Sequence, residues 1–398
     1  MKQVAQRLKD GKIEVLDVPV PELSDTGVLV DVRASLLSAG TERTKVETAR
    51  LSLLGKARAR PDQVRAVVEK ARREGIAETV RAVRAQLNQA SGLGYSAAGV
   101  AIAVGSRVTD VAPGDRVAIG GGDYAVHADI DHVPGNLCVR IPDALGFDEA
   151  AFATVGAIAL HGVRQTEATI GERVAVIGLG LVGQLAGQIL RAAGCTVVGV
   201  DLSAGLVARA LESGAADVAY ARGDIDAERL PHDAGSCDAV VVTAATGSDD
   251  PVRLAAALCR DRGRVVVVGL VGMQLPRAAY YDKELDLRMS RSYGPGRYDV
   301  EYEERGLDYP VSYVRWTERR NMAAFLGLVA SGKVDVGGLI TERVPVDQAP
   351  AAYERLLGAE HSPLGIVLNY GPTPLPPAPA HATAAPVRSL VTGVIGPG

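Results

Sequence analysis

Val174-Ala175-Val176-Ile177-Gly178-Leu179-Gly180-Leu181-Val182-Gly183 decides the reading of this 398-residue chain. An apolar, largely β-branched run enters G-x-G-x-x-G, and Gln184 to Ala193 continue at helical spacing. Strand, glycine turn and helix in that order open a βαβ unit. Each glycine has its own reason: Gly178 makes the tight turn, Gly180 lets a pyrophosphate approach the backbone, and Gly183 lets helix and strand pack closely. The helix N-terminus presents unpaired N–H groups and its positive dipole end to the phosphates. The next apolar run, Thr196-Val197-Val198-Gly199-Val200, ends in Asp201. That is about 20 residues past the motif, where an acid hydrogen-bonds the ribose hydroxyls. A carboxylate there also repels a 2′-phosphate, so NAD is expected rather than NADP. Leu179, Leu181, Val182 and Leu202 complete the expected cofactor-binding set.

Outward from this motif, helix and strand texture alternate from Phe147 to about Leu285, the pattern of a parallel, doubly wound α/β sheet. Residues 1 to about 42 are β-rich. Strand texture returns at Gly99–Gly105, Arg116–Ile119 and Tyr124–Ala128. Between them, from Arg43 to about Gln89, Arg, Lys, Glu and Ala dominate at helical spacing, with Pro61-Asp62 as a start and Gly75 as a stop. The expected division is a β-rich unit over 1–148 with a helical insertion at 43–89, a nucleotide-binding unit over 149–288, a return to the first unit over 289–371, and a Pro/Ala-rich tail over 372–398.

Composition narrows the function. The formal charge is −4, with 47% apolar and 23% charged residues, which points to no nucleic-acid partner. The N-terminus has no apolar signal core, and no stretch approaches the roughly 18 uncharged apolar residues of a membrane helix. A cytoplasmic location is expected. The four cysteines, Cys138, Cys195, Cys237 and Cys259, lack C-x-x-C pairing and read as small hydrophobes.

Gly99-Val100, Val104-Gly105, Val108 and Pro113-Gly114-Asp115-Arg116-Val117 resemble the GroES-like domain of the medium-chain dehydrogenase/reductase superfamily. The resemblance implies a GroES-like catalytic domain beside a Rossmann domain, and a cleft between them holding nicotinamide. It also implies that Thr243, Ala244, Gly269 and Leu270 line the nicotinamide side. Zinc members carry C-G-T-D and G-H-E, where this chain has Ala39-Gly40-Thr41-Glu42 and Gly94-Tyr95-Ser96, and the third ligand position falls near Ala153. A catalytic zinc needs about three protein ligands, so no metal is expected. Hydrogen-bond donors and a proton-shuttling side chain then take over the metal's work. Thr41 matches the family's relay hydroxyl, Tyr95 brings a phenol, and Glu42 orients or relays. The plainer alternatives are a turn hydroxyl for Thr41 and a cleft-wall ring for Tyr95. His127 reads as an ordinary surface or edge histidine.

The insertion, Ser290-Arg291-Ser292-Tyr293-Gly294-Pro295-Gly296-Arg297-Tyr298, Tyr309-Pro310 and Tyr313-Val314-Arg315-Trp316-Thr317-Glu318 resemble the dehydrogenase half of bi-domain oxidoreductases from bacterial sugar-metabolite genes. That implies an NAD-dependent, zinc-independent exchange of hydride with a secondary alcohol or ketone of a sugar-like or cyclitol-like substrate. Arg291, Tyr293 and Arg297 are the expected substrate-binding residues; the alternative is a structural loop whose arginines pair with Asp299, Glu301 and Glu303. Gly393-Val394-Ile395-Gly396 looks like the opening of a second nucleotide-binding domain, or else an apolar tail. A homodimer and a second oxidoreductase partner are expected from the same resemblance. Two other readings stay open: a zinc-free quinone or enoyl reductase, and a catalytically silent partner unit.

Overall fold

The computed structural model describes residues 1–38, 40, 42, 43, 46, 65, 67, 69, 71–73, 75, 78, 79, 81, 90–358 and 363–373. Thr41, most of the expected insertion and the tail beyond 373, including Gly393–Gly396, lie outside them.

The N-terminal third forms β1 (Lys2–Arg7), β2 (Ile13–Asp17), β3 (Gly27–Ser38), β4 (Ala90–Gly92), β5 (Ser96–Val104), β6 (Arg116–Gly120), β7 (Ile130–Pro134) and β8 (Cys138–Arg140). The turn expected at Pro113-Gly114-Asp115 is present before β6. Gly114 takes φ +93°, and its N–H donates to Ala101 O at 2.7 Å. One expected strand is absent. Tyr124–Ala128 form a loop whose His127 backbone bridges Leu93 O and Val4 N, at 2.7 Å each. Its apolar side chains are buried, but the chain lies between two neighbours without a ladder.

Helices α1 (Phe147–Ala150) and α2 (Ala153–Thr166) lead into a six-stranded parallel sheet. Its strands are β9 (Arg173–Ile177), β10 (Thr196–Asp201), β11 (Val218–Ala221), β12 (Cys237–Val242), β13 (Cys259–Val267) and β14 (Asp286–Met289), in the order β11-β10-β9-β12-β13-β14. Helices α3 (Leu181–Ala192), α4 (Ala204–Glu212), α5 (Asp250–Leu258) and α6 (Arg277–Asp282) connect them. The sheet is covered on both faces, which is why β9, β12 and β13 end in unbroken apolar, valine-rich runs.

The chain then returns. After α7 (Val300–Glu303) and α8 (Glu318–Ala330), β15 (Ile340–Pro345), α9 (Ala349–Gly358) and β16 (Gly365–Asn369) rejoin the first sheet. That sheet runs β15-β16-β3-β5-β6-β8, with β7 also on β3, and Val367 pairs with Leu36. The last described strand thus sits between β15 and β3, beside residues more than 300 positions earlier. Packing ties the two sheets together: a Cβ on Gly156 of α2 would lie 2.2 Å from the Phe325 ring of α8, so helix and ring meet without space to spare.

Candidate active site

The glycine turn after β9 is shaped as its motif requires. Gly178 has φ +97°, and a Cβ there would lie 2.6 Å from Ala244 N. A Cβ on Gly183 would lie 1.9 Å from Gly178 O, so α3 approaches the turn as only glycine allows. Gly180 differs: a Cβ there would meet nothing within 4 Å. Open space therefore stands over the α3 N-terminus, and no side chain caps that helix. Leu179 and Leu181 are buried, so only their backbone faces this space, while Val182 is half-buried.

Asp201 closes the turn from the side. Its Oδ2 accepts from Leu179 N–H at 2.6 Å and its Oδ1 from Ser203 N–H at 2.8 Å. Leu202, next to it, is 85% exposed. The ends of β12 and β13 complete a ledge. The Thr243 hydroxyl donates to Gly178 O at 2.5 Å, Ala244 N–H donates to Ile177 O at 3.1 Å, and a Cβ on Gly269 would lie 2.1 Å from Ala244 O. Leu270, 72% exposed, stands on the outer side, its carbonyl accepting from Thr246 N–H. The twelve expected cofactor residues are thus at the C-terminal ends of four neighbouring strands, where open α/β sheets bind ligands.

The fold joins two of the three expected metal-ligand positions. Ser96, after Tyr95, donates its hydroxyl to Ala151 O at 2.6 Å and accepts Thr154 N–H at 3.2 Å, beside Ala153. Tyr95 is half-buried, and its carbonyl accepts Gly121 N–H. A phenol and a methyl group do not supply the nitrogen, sulfur or carboxylate donors that zinc takes. Among the described residues, no group of three or more His, Cys, Asp or Glu could hold a metal ion.

Glu42 is 2% exposed, with its carboxylate turned into the first unit. It accepts from the Tyr353 hydroxyl and lies 3.4 Å from His127 Nε2. His127 is fully buried, which corrects the expectation of a surface or edge histidine. The apolar residues before it, Ala125 and Val126, were the local signal; its partners, distant in sequence, left none.

The loop after β14 also divides. Tyr293 is 2% exposed and belongs to the core, so its expected direct contact with substrate is corrected to support from beneath. Burial holds its phenol well above the usual range. Arg297 pairs with Glu303 at 2.5 Å, which is the structural pairing foreseen as the alternative. Even so, Arg297 and Arg291 both line a cavity of about 440 Å³ with His161, Gln165, Tyr298 and Tyr309. Their guanidiniums lie 4.1 and 4.7 Å from the Tyr298 ring centroid. The sequence singles out the stretch that ends in Glu318 but gives that residue no role; it is fully buried below this loop, and burial pushes its carboxyl up to about 9.

A family profile described as zinc-binding dehydrogenase matches residues 182–304. Sorbitol dehydrogenase of Rattus norvegicus is 27% identical over 304 residues, covering 66% of this chain and 75% of that protein. A probable D-xylulose reductase A of Aspergillus terreus is 28% identical over 299 residues, covering 66% and 78%. In fold, galactitol-1-phosphate dehydrogenase of Escherichia coli matches with a TM-score of 0.69 at 18% identity, over 93% of this chain and 100% of that one. Alcohol dehydrogenase TADH of Thermus sp. ATN1 matches with a TM-score of 0.69 at 20% identity, over 93% and 99%. The chain is thus similar to medium-chain, zinc-binding dehydrogenases, in sequence over part of its length and in fold over most of it. This dehydrogenase is an oxidoreductase, and its Rossmann-type sheet and first, β-rich sheet are those of the group. No helix among its described residues is long and apolar enough to cross a membrane.

Proposed function

We propose that this dehydrogenase uses NAD(H), without zinc, to move a hydride to or from a secondary alcohol carbon of a sugar-like or cyclitol-like substrate. The observation that carries the proposal is the open cradle at Gly180 beside the Asp201 carboxylate. Backbone N–H groups of the α3 N-terminus would hold the pyrophosphate. Asp201 would exchange its bonds to Leu179 and Ser203 N–H for the adenosine ribose hydroxyls, and its charge would disfavour a 2′-phosphate. When bound, the nicotinamide supplies the hydride acceptor or donor.

The rest of the work falls to side chains. The Tyr95 phenol hydrogen-bonds the reacting oxygen and stabilises charge as it develops there, with Thr41 as the relay hydroxyl and Glu42 orienting the segment. The lack of ligating side chains at Tyr95 and Ala153 supports leaving zinc out of the reaction. Arg291 and Arg297 bring donors and aromatic stacking to a hydroxyl-rich substrate. The polyol enzymes among the relatives support this substrate class. A homodimer joined along β14, an edge strand paired only with β13 among the described residues, completes the reading. Protein dialysed against chelator, assayed with NAD and a panel of polyols and sugars, tests it. Turnover unchanged by chelation is expected; turnover that vanishes and returns with zinc would contradict it.

A further inference from the structure

Beneath the Leu93–Gly94–Tyr95 turn runs a buried polar chain of which only Glu42 has a part in the reaction as proposed so far. Ser35 Oγ lies 2.8 Å from Tyr370 Oη and 2.7 Å from His127 Nδ1. His127 Nε2 lies 3.4 Å from Glu42 Oε2, which also accepts the Tyr353 hydroxyl. The Tyr353 ring meets the imidazole edge-on, with centroids 6.1 Å apart at 64°. None of the five residues is more than 7% exposed. They come from β3, the helical backbone at Glu42, the loop after β6, α9, and the residue following β16. One proton arrangement satisfies every donor: Tyr370 donates to Ser35, Ser35 to Nδ1, and Nε2–H and Tyr353 to Glu42.

Such a chain is weak evidence for stability, because apolar side chains of similar volume hold a core equally well. Its distinctive effect is to fix one geometry. Glu42 Oε1 has no partner among the described residues, so His127 and Tyr353 set the carboxylate's orientation. The imidazole also moulds the neighbouring turn. Gly94 has φ +98°, and a Cβ there would lie 2.8 Å from His127 N and 2.9 Å from its Cγ and Nδ1. Tyr95 follows directly, and Glu42 follows Thr41.

We propose that His127 is a positioning residue: its two ring nitrogens bind Glu42 and Ser35 while its face shapes the Gly94 turn, so that Tyr95 meets the substrate in one orientation. This rests on the role of Tyr95 proposed above. The test compares His127→Leu, which removes both bonds, with His127→Gln, which retains a donor towards Glu42. The leucine variant should lose about 100-fold in kcat, the scale of a misplacement of about 1 Å. Its KM and its NADH affinity should stay near wild type while its Tm falls, because the buried Glu42 carboxylate loses a partner, and His127→Gln should recover most of kcat. Unchanged kcat in His127→Leu would overturn the proposal. So would a joint fall of kcat, NADH affinity and Tm in both variants, which marks a merely structural residue. The network is also readable without turnover. In protein labelled with 15N-histidine, the His127 ring signals, identified by their loss in His127→Gln, should shift in Glu42→Gln. If wild type binds NADH but oxidises no alcohol, the role of Tyr95 fails. An unmoved His127 signal in Glu42→Gln would then refute the network separately.

Discussion

At the scale of single residues, the three motif glycines carry different loads and predict different failures. Gly183→Ala forces a Cβ to 1.9 Å from Gly178 O, so it should cost about 1–3 kcal/mol, read as a lower denaturation midpoint. Gly180→Val meets no protein atom within 4 Å of the new Cβ. It should leave the midpoint near wild type and weaken NADH at least about tenfold, or about 1.4 kcal/mol. A normal NADH affinity in Gly180→Val would remove the cradle from the account. Glu318 gives a pH signature. Burial comes first in raising its carboxyl from 4.5 to about 9; Glu303 adds to the rise and Arg297 opposes it. Folded protein therefore holds this proton where unfolded protein has released it, so the contribution to stability is full below pH 4.5 and is lost as pH rises towards 9. Glu318→Gln keeps the shape without the titration. Its Tm relative to wild type should climb steadily between pH 5 and pH 8.5, and a difference independent of pH would show that Glu318 does not titrate as described.

At the scale of elements, what was legible depended on how local the signal was. β9, its glycine turn, α3 and β10 are each specified by residues within one short stretch, and the structure forms them where the sequence puts them. The Pro113–Asp115 turn was legible for the same reason. Tyr124–Ala128 misled because β-branched and aromatic residues mark burial as readily as strand, and here the burial is in a loop between Leu93 and Val4. The Ser290–Tyr298 loop was recognisable as special, but the inward turn of Tyr293 was not. Residues 292, 294, 296 and 298 all take positive φ, a local path that alternation of side chains cannot foretell.

At the scale of the whole molecule, long-range pairing assembles the site, and pairing is what a linear reading sees least. Glu42 and Tyr353 are 311 residues apart, and β16 slots between β15 and β3. The same return places α8 on α2. Phe325→Ala should therefore leave a cavity between the two sheets and cost about 3–5 kcal/mol in urea unfolding. The most direct test of the central claim, an NAD site built on Gly180 and Asp201, is fluorescence titration of the wild type and Asp201→Ala with NADH and NADPH. Tight NADH binding and weak NADPH binding by wild type, with the preference narrowed at least about tenfold in Asp201→Ala, is the predicted result. Tighter binding of NADPH by wild type, or a preference untouched by losing Asp201, would contradict it.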